Sequence, residues 1–224
     1  MNRIFTLVGL AATLVIVAAC SKPATTPATP AGPTLNPPAT TEGAAPAADE
    51  KQGAAIGAPG PAWANLEGTD GKMHSLKDIA DTQVVAVVFT CNHCPVAQAY
   101  EDRLVKFATD YKDKGVELVA INVNNLDADK LPAMKERAAE KGFTFAYLYD
   151  PSQDIGRAFG AAVTPHAFVL DKSRNVVYMG AIDDEQDESA VTKHYLRDAV
   201  DAALAGKSPD VTTSQQFGCS INYD

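Results

Sequence analysis

The chain has 224 residues, 28 acidic and 19 basic, a net charge of −9 and four cysteines. This balance excludes the basic face that neutralising nucleic-acid phosphates requires, and four cysteines are too few to staple a disulfide scaffold of this length. With 46% apolar residues the chain can build a core, as one domain with extras or as two small ones. The averages hide a division, because nine of the fourteen prolines fall between Pro23 and Pro61. Residues 1–56 hold three acids (Glu42, Asp49, Glu50) and three bases (Arg3, Lys22, Lys51), so the whole −9 belongs to the remaining 168 residues.

Arg3 precedes an apolar run from Ile4 to Ala19. A spanning helix needs about 20 apolar residues, so the run is short for one, but it suits a secretory signal. It ends Val17-Ala18-Ala19-Cys20, followed by Ser21, and resembles the bacterial lipobox. The resemblance implies removal of residues 1–19 as a lipoprotein signal peptide and acylation of Cys20, which withdraws that thiol from redox work. It implies a lipid anchor in the cell envelope on the periplasmic or extracytoplasmic face, with Ser21 pointing to the outer membrane. Residues 20–56 are then a tether rich in Pro, Ala and Thr. They have too little apolar surface to offset the entropy of ordering, and they reach at most on the order of 100 Å in a polyproline II conformation.

The domain is expected over residues 57–206, followed by a tail over 207–224. Pro61–Leu66 reads as a short strand leading to a turn at Gly68–Gly71, and Ser75 with Asp78 as a capping box for a short helix. Val84–Phe89 is a continuous apolar run, as a strand covered on both faces of a sheet requires, and Val116–Ile121 reads as the next buried strand. Between them a helix runs from about Cys94 to Lys114, stopped by Gly115. A second helix spans about Lys130 to Lys141, a strand Phe145–Tyr149, and a short helix Gln153–Phe159. Ala167–Leu170 and Val176–Met179 flank a turn and read as a hairpin, and Ser189–Leu204 is the last helix. Helices between apolar strands, then a hairpin and a helix, predict an α/β sandwich with a mixed sheet.

The chemistry is concentrated in Cys91-Asn92-His93-Cys94-Pro95, where a buried strand gives way to a helix. A cysteine at a helix N-terminus is stabilised as thiolate by free N–H groups and the dipole, and this role is expected of Cys91. Cys94 is placed to resolve a mixed disulfide by closing a ring with Cys91. Pro95 is tolerated in a first turn, which has no intrahelical N–H bond to lose. His93 adds positive charge or a hydrogen bond beside the sulfurs.

With Val163-Thr164-Pro165 ahead of a later strand, this motif resembles the thioredoxin-like superfamily over about residues 57–206. The resemblance implies a thioredoxin-like three-layer sandwich in which Pro165 is a cis-proline facing the cysteines and the Thr164 backbone pairs with an incoming substrate chain. Phe89-Thr-Cys-Asn-His-Cys-Pro95 and Gly218-Cys219-Ser220-Ile221 bring it nearer to peroxiredoxin-like redoxin proteins. Two departures stand out. Thr90 replaces the tryptophan of thioredoxins, and Val85 occupies the place of their buried acid, so proton transfer falls to His93 or His166. The Pro-x-x-x-Thr-x-x-Cys pattern of peroxiredoxins is missing.

The expectation is therefore a membrane-tethered thiol–disulfide oxidoreductase with no cofactor. It acts through Cys91 and Cys94 on protein thiols or disulfides or a small thiol, and exchanges electrons with an envelope donor or acceptor. Two alternatives stand beside it: a copper-binding assembly factor using Cys91, Cys94 and His166 as a soft Cys₂His site, and a thiol-dependent peroxidase. Zinc lacks a second cysteine pair, and haem attachment lacks a histidine after Cys94. Cys219 is open between a resolving cysteine, an intermolecular link and a tail anchor. Asp183–Glu188 reads as a solvated acidic loop, His74 and His194 as surface residues, and Asn122, Asn124 and Asn125 as rim positions.

Overall fold

A computed structural model describes residues 53–224. The expected signal peptide, Cys20 and all of the tether up to residue 52 lie outside the described residues. Contacts with the domain begin earlier than expected, inside the predicted tether. The Ala54 N–H donates to the Phe159 carbonyl (3.1 Å), and the Ala54 side chain packs on the core.

The strands are β1 (Leu66–Gly68), β2 (Met73–His74), β3 (Val84–Phe89), β4 (Val116–Asn122), β5 (Ala146–Tyr149), β6 (Val163–Thr164), β7 (His166–Leu170), β8 (Val176–Gly180) and β9 (Cys219–Ser220). The helices are α1 (Pro95–Ala99), α2 (Glu101–Tyr111), α3 (Leu131–Lys141), α4 (Asp154–Phe159) and α5 (Tyr195–Leu204). Seven strands form one mixed sheet in the order β2-β1-β5-β4-β3-β7-β8, and β6 pairs with β9 apart from it. β3 runs parallel to β4 and antiparallel to β7, and β4 runs parallel to β5.

The apolar run of β3 follows from its central place, because successive side chains of a strand point to opposite faces and both faces are covered. Val84, Ala86 and Val88 join Leu104 and Phe107 of α2, Met134 of α3 and Leu196 of α5. Val85, Val87 and Phe89 join Trp63, Leu76, Phe159 of α4 and Ile221 of the tail. Helices, sheet, and a second layer of helix and loop make the α/β sandwich that the sequence predicts, in the three layers that the resemblance implies.

The expected helix from Cys94 to Lys114 is broken at Tyr100, whose N–H donates to the Ala97 carbonyl three residues back (3.0 Å). The buried Tyr100 hydroxyl donates to Asp183 Oδ1 (2.6 Å), and Arg103 Nη1 donates to Asp183 Oδ2 (2.7 Å). Asp183 is therefore a buried anchor and not part of a solvated acidic loop. The last helix begins at Tyr195, not Ser189, because Asp187 caps a separate turn at Glu188–Ala190 and Asp184 holds Thr192 and Lys193 in the link. The first strand lies at 66–68 and shares only Leu66 with the segment expected for it. Among the described residues no helix is long and apolar enough to cross a membrane.

Candidate active site

Sheet register assembles the site. β3 and β7 pair antiparallel with Phe89 opposite His166, so the residues after Phe89 meet those before His166. Thr90, Cys91 and the motif that follows thus face Pro165 and Thr164. The Thr164–Pro165 peptide bond is cis. Cys91 Sγ lies 3.2 Å from Thr164 Oγ1, and Cys94 Sγ lies 3.3 Å from the Thr164 carbonyl oxygen.

The helix starts where the sequence places it, near Cys94, so the N-terminal position expected of Cys91 falls to Cys94. Cys94, not Cys91, is the N-cap of α1, with extended backbone (φ −78°, ψ 118°), and its sulfur accepts the Ala97 N–H at 3.4 Å. Pro95 is the first helical residue. Cys91 sits below the helix end and is 2% exposed. Burial pushes its thiol up from the ordinary value; the hydrogen bond with Thr164 opposes the shift and the nearby Asp129 charge adds to it. The N-cap position expected to stabilise a Cys91 thiolate is thus taken by Cys94.

The disulfide also differs from the expected Cys91–Cys94 ring. Cys94 is bonded to Cys219, 125 residues later, and among the described residues Cys91 is the free thiol. The three cysteines still form one cluster, in which Cys91, Cys94 and Ala97 are buried and Cys219 and Val96 are partly buried against them. Cys219 arrives on β9, which pairs antiparallel with β6 so that Thr164 faces Cys219 and Val163 faces Ser220.

Beneath the motif lies a residue that sequence reasoning missed. Asp129, fully buried, ends a short helical turn after β4. Its Oδ1 accepts the N–H groups of Asn92 (2.8 Å) and His93 (3.2 Å), and its Oδ2 stands 2.5 Å from His93 Nδ1. Asn122 Nδ2 donates to the Asp129 carbonyl (3.0 Å), and the Tyr147 hydroxyl donates to Asn92 Oδ1 (3.0 Å). Asn122 is therefore a buried support of the loop and not a rim residue. The one available signal was position: acids after β4 lie beyond the same strand ends as the cysteines, where α/β sheets place their sites.

His166 does not join the sulfurs. Its Nδ1 accepts the Ala162 N–H (3.4 Å), its ring packs on Phe168 (centroids 4.5 Å apart), and burial lowers its pKa to about 4. The Cys91, Cys94 and His166 copper set is not assembled, since Cys94 is held in the disulfide. The group that lies within 4.8 Å is instead Cys91, His93 and Asp129. A metal there would have to displace the hydrogen bonds that already engage both Asp129 oxygens. Of the remaining histidines, His74 bonds Asp70 at the surface (2.9 Å) and His194 precedes α5.

The Redoxin family model matches residues 43–195. The chain belongs to the Redoxin family. Two solved structures are similar to this redoxin over nearly their whole length. A hypothetical protein from Sinorhizobium meliloti is 33% identical with a TM-score of 0.72, over 77% of this chain and 97% of that one. An uncharacterized conserved protein from Geobacillus kaustophilus is 35% identical with a TM-score of 0.71, over 76% and 93%. A thiol:disulfide interchange protein of the thioredoxin family from Chlorobium tepidum, 22% identical over 65% of this chain and 95% of its own, shares the fold with a TM-score of 0.53. No curated protein matches the redoxin. The fold is thioredoxin-like, as the motif implied.

Proposed function

We propose that this redoxin is a thiol–disulfide oxidoreductase of the cell envelope whose redox unit is three cysteines, Cys91, Cys94 and Cys219. The observation that carries this reading is the convergence of all three on Thr164, with Cys94 bonded to Cys219 and Cys91 held as a thiol in the same cluster. In the reducing direction His93, oriented by Asp129, takes the Cys91 proton, and the thiolate attacks a substrate disulfide to give a mixed disulfide and one substrate thiol. Cys94 thiolate attacks Cys91 Sγ, freeing the second substrate thiol and closing Cys91–Cys94. Cys219 thiolate then attacks Cys94 Sγ, which forms Cys94–Cys219 and returns Cys91 as a thiol. Two electrons have passed from the Cys94/Cys219 dithiol to the substrate, and an external dithiol restores them. An oxidising protein runs the same steps backwards.

The lipobox-like Val17–Cys20 and the proline-rich segment after it support tethering to the envelope membrane through acylated Cys20. A Cys20→Ser chain should leave the membrane fraction. The catalytic reading is tested by insulin reduction with dithiothreitol. Wild type should accelerate it, and Cys91→Ser and Cys94→Ser should abolish the acceleration. Acceleration unchanged in both variants would overturn the reading.

A further inference from the structure

The tail lies on the domain as an added strand. Along Phe217–Asp224 the side chains alternate, with Phe217, Cys219, Ile221 and Tyr223 turned in and Gly218, Ser220, Asn222 and Asp224 exposed. Phe217 packs against the Tyr100 ring (centroids 6.2 Å apart), and Ile221 is buried in the core face beside β3. The Ile221 N–H donates to the Ala162 carbonyl (2.9 Å), which extends the β6–β9 ladder. Gly218 has φ +153°, and a Cβ there would collide with the Thr164 carbonyl oxygen.

Strand addition of this kind binds an extended polypeptide through its main chain and selects it through alternate side chains. The tail uses both devices, and its single covalent tie is a disulfide. That bond is exchangeable, because the Cys91 sulfur lies in the same cluster.

We propose that Phe217–Ile221 is a built-in occupant of the groove that takes substrate polypeptide, and that thiol–disulfide exchange within the cluster governs its release. The inference rests on the oxidoreductase reading above. It gives the substrate class: an extended polypeptide whose cysteine lies opposite Thr164, with glycine before it, an aromatic residue two before and a branched aliphatic residue two after. The release step balances. Cys91 thiolate attacks Cys94 Sγ, the Cys94–Cys219 bond breaks as the Cys91–Cys94 bond forms, and Cys219 leaves as a thiolate that takes up the proton Cys91 gave to His93. No electrons are gained or lost.

The test uses the reduced full chain in detergent and the rate at which its active-site thiols react with 5,5′-dithiobis(2-nitrobenzoate). Cys219→Ser keeps the tail strand without its thiol, and adding Gly218→Ala expels the strand. The double variant should react about tenfold faster than Cys219→Ser, because thiol reactivity follows exposure. A synthetic octapeptide copying residues 215–222, with serine for the cysteine, should return the double variant to the slow rate. The same peptide with alanine for the glycine should not. Phe217→Ala in place of Gly218→Ala should act in the same direction. Equal rates in the Cys219→Ser and expelled chains, or equal protection by both peptides, would overturn the inference and leave the insulin result standing. Failure of the wild-type chain to accelerate insulin reduction would overturn the oxidoreductase reading and leave peptide protection to be seen.

Discussion

His93 Nδ1 and Asp129 Oδ2 stand 2.5 Å apart beneath the cysteine motif, 36 residues distant in the chain. Where thioredoxins keep a buried acid on the strand that leads to the motif, this chain has Val85, packed in the core. The buried acid beneath the motif is instead Asp129, on the turn after the neighbouring strand β4. There it holds the motif's backbone and orients a histidine within 4.8 Å of the Cys91 sulfur.

Asp129→Asn removes the carboxylate that fixes this imidazole. Insulin reduction should fall by about a hundredfold, the low end for a positioned general base. A second readout separates positioning from mere scaffolding. The Asp129 charge helps to raise the Cys91 thiol, so its removal should move the pH profile of Cys91 alkylation downward. An unchanged profile would count against the assignment.

Burial sets the behaviour of Cys91 in the disulfide-bonded chain. Its thiol is pushed above the ordinary value of 9.0, so iodoacetamide labelling of the oxidised protein should still be rising beyond that pH. A midpoint below about 8, as for an activated thiolate, would contradict the tail-covered site.

His166 gives the fold a pH dependence of its own. The folded state holds it neutral, with a pKa lowered by burial from 6.5 to about 4. The unfolded chain takes up a proton below about 6.5, so this contribution is complete above that pH and is lost as the pH falls toward 4. The loss should be on the order of 3 kcal/mol. Urea unfolding between pH 7 and 4 measures it, and His166→Gln should flatten the curve over that window.

The Cys94–Cys219 bond closes a loop across most of the domain, with a sequence separation of 125. Cys219→Ser should destabilise the oxidised chain by about 2–4 kcal/mol and leave the reduced chain nearly unchanged. Denaturant midpoints with and without dithiothreitol make the comparison.

The fold was legible where one physical constraint acted alone. β3 is apolar on both faces and β4 is so apart from Glu117 and Asn122, so both read as buried strands from their composition, and Gly115 and Gly142 end their elements in left-handed backbone as their type suggests. That Thr164–Pro165 faces the Cys91–Cys94 motif was implied by the thioredoxin-like resemblance of the two segments, and the β3–β7 register brings them together. What escaped depends on long-range partners. β2, β6 and β9 have two residues each, too few for an alternating pattern. Tyr100 breaks its helix because its hydroxyl reaches Asp183, 83 residues away. Asp129 resembles any acid of a polar turn until the loop folds over it. Cys219 lies in a tail whose partner is an edge of two residues. Its bond to Cys94 and not to an outside thiol follows from the β6–β9 register, which the chain does not spell out locally.

Disulfide mapping of the oxidised protein is the most direct test. The chain is oxidised, quenched in acid, alkylated at its free thiols and digested for mass spectrometry. The account predicts a Cys94–Cys219 cross-link with the alkyl label on Cys91, converting in part to Cys91–Cys94 with label on Cys219 when the quench is delayed at alkaline pH. Alkyl label on both Cys94 and Cys219 under oxidising conditions would contradict the three-cysteine unit.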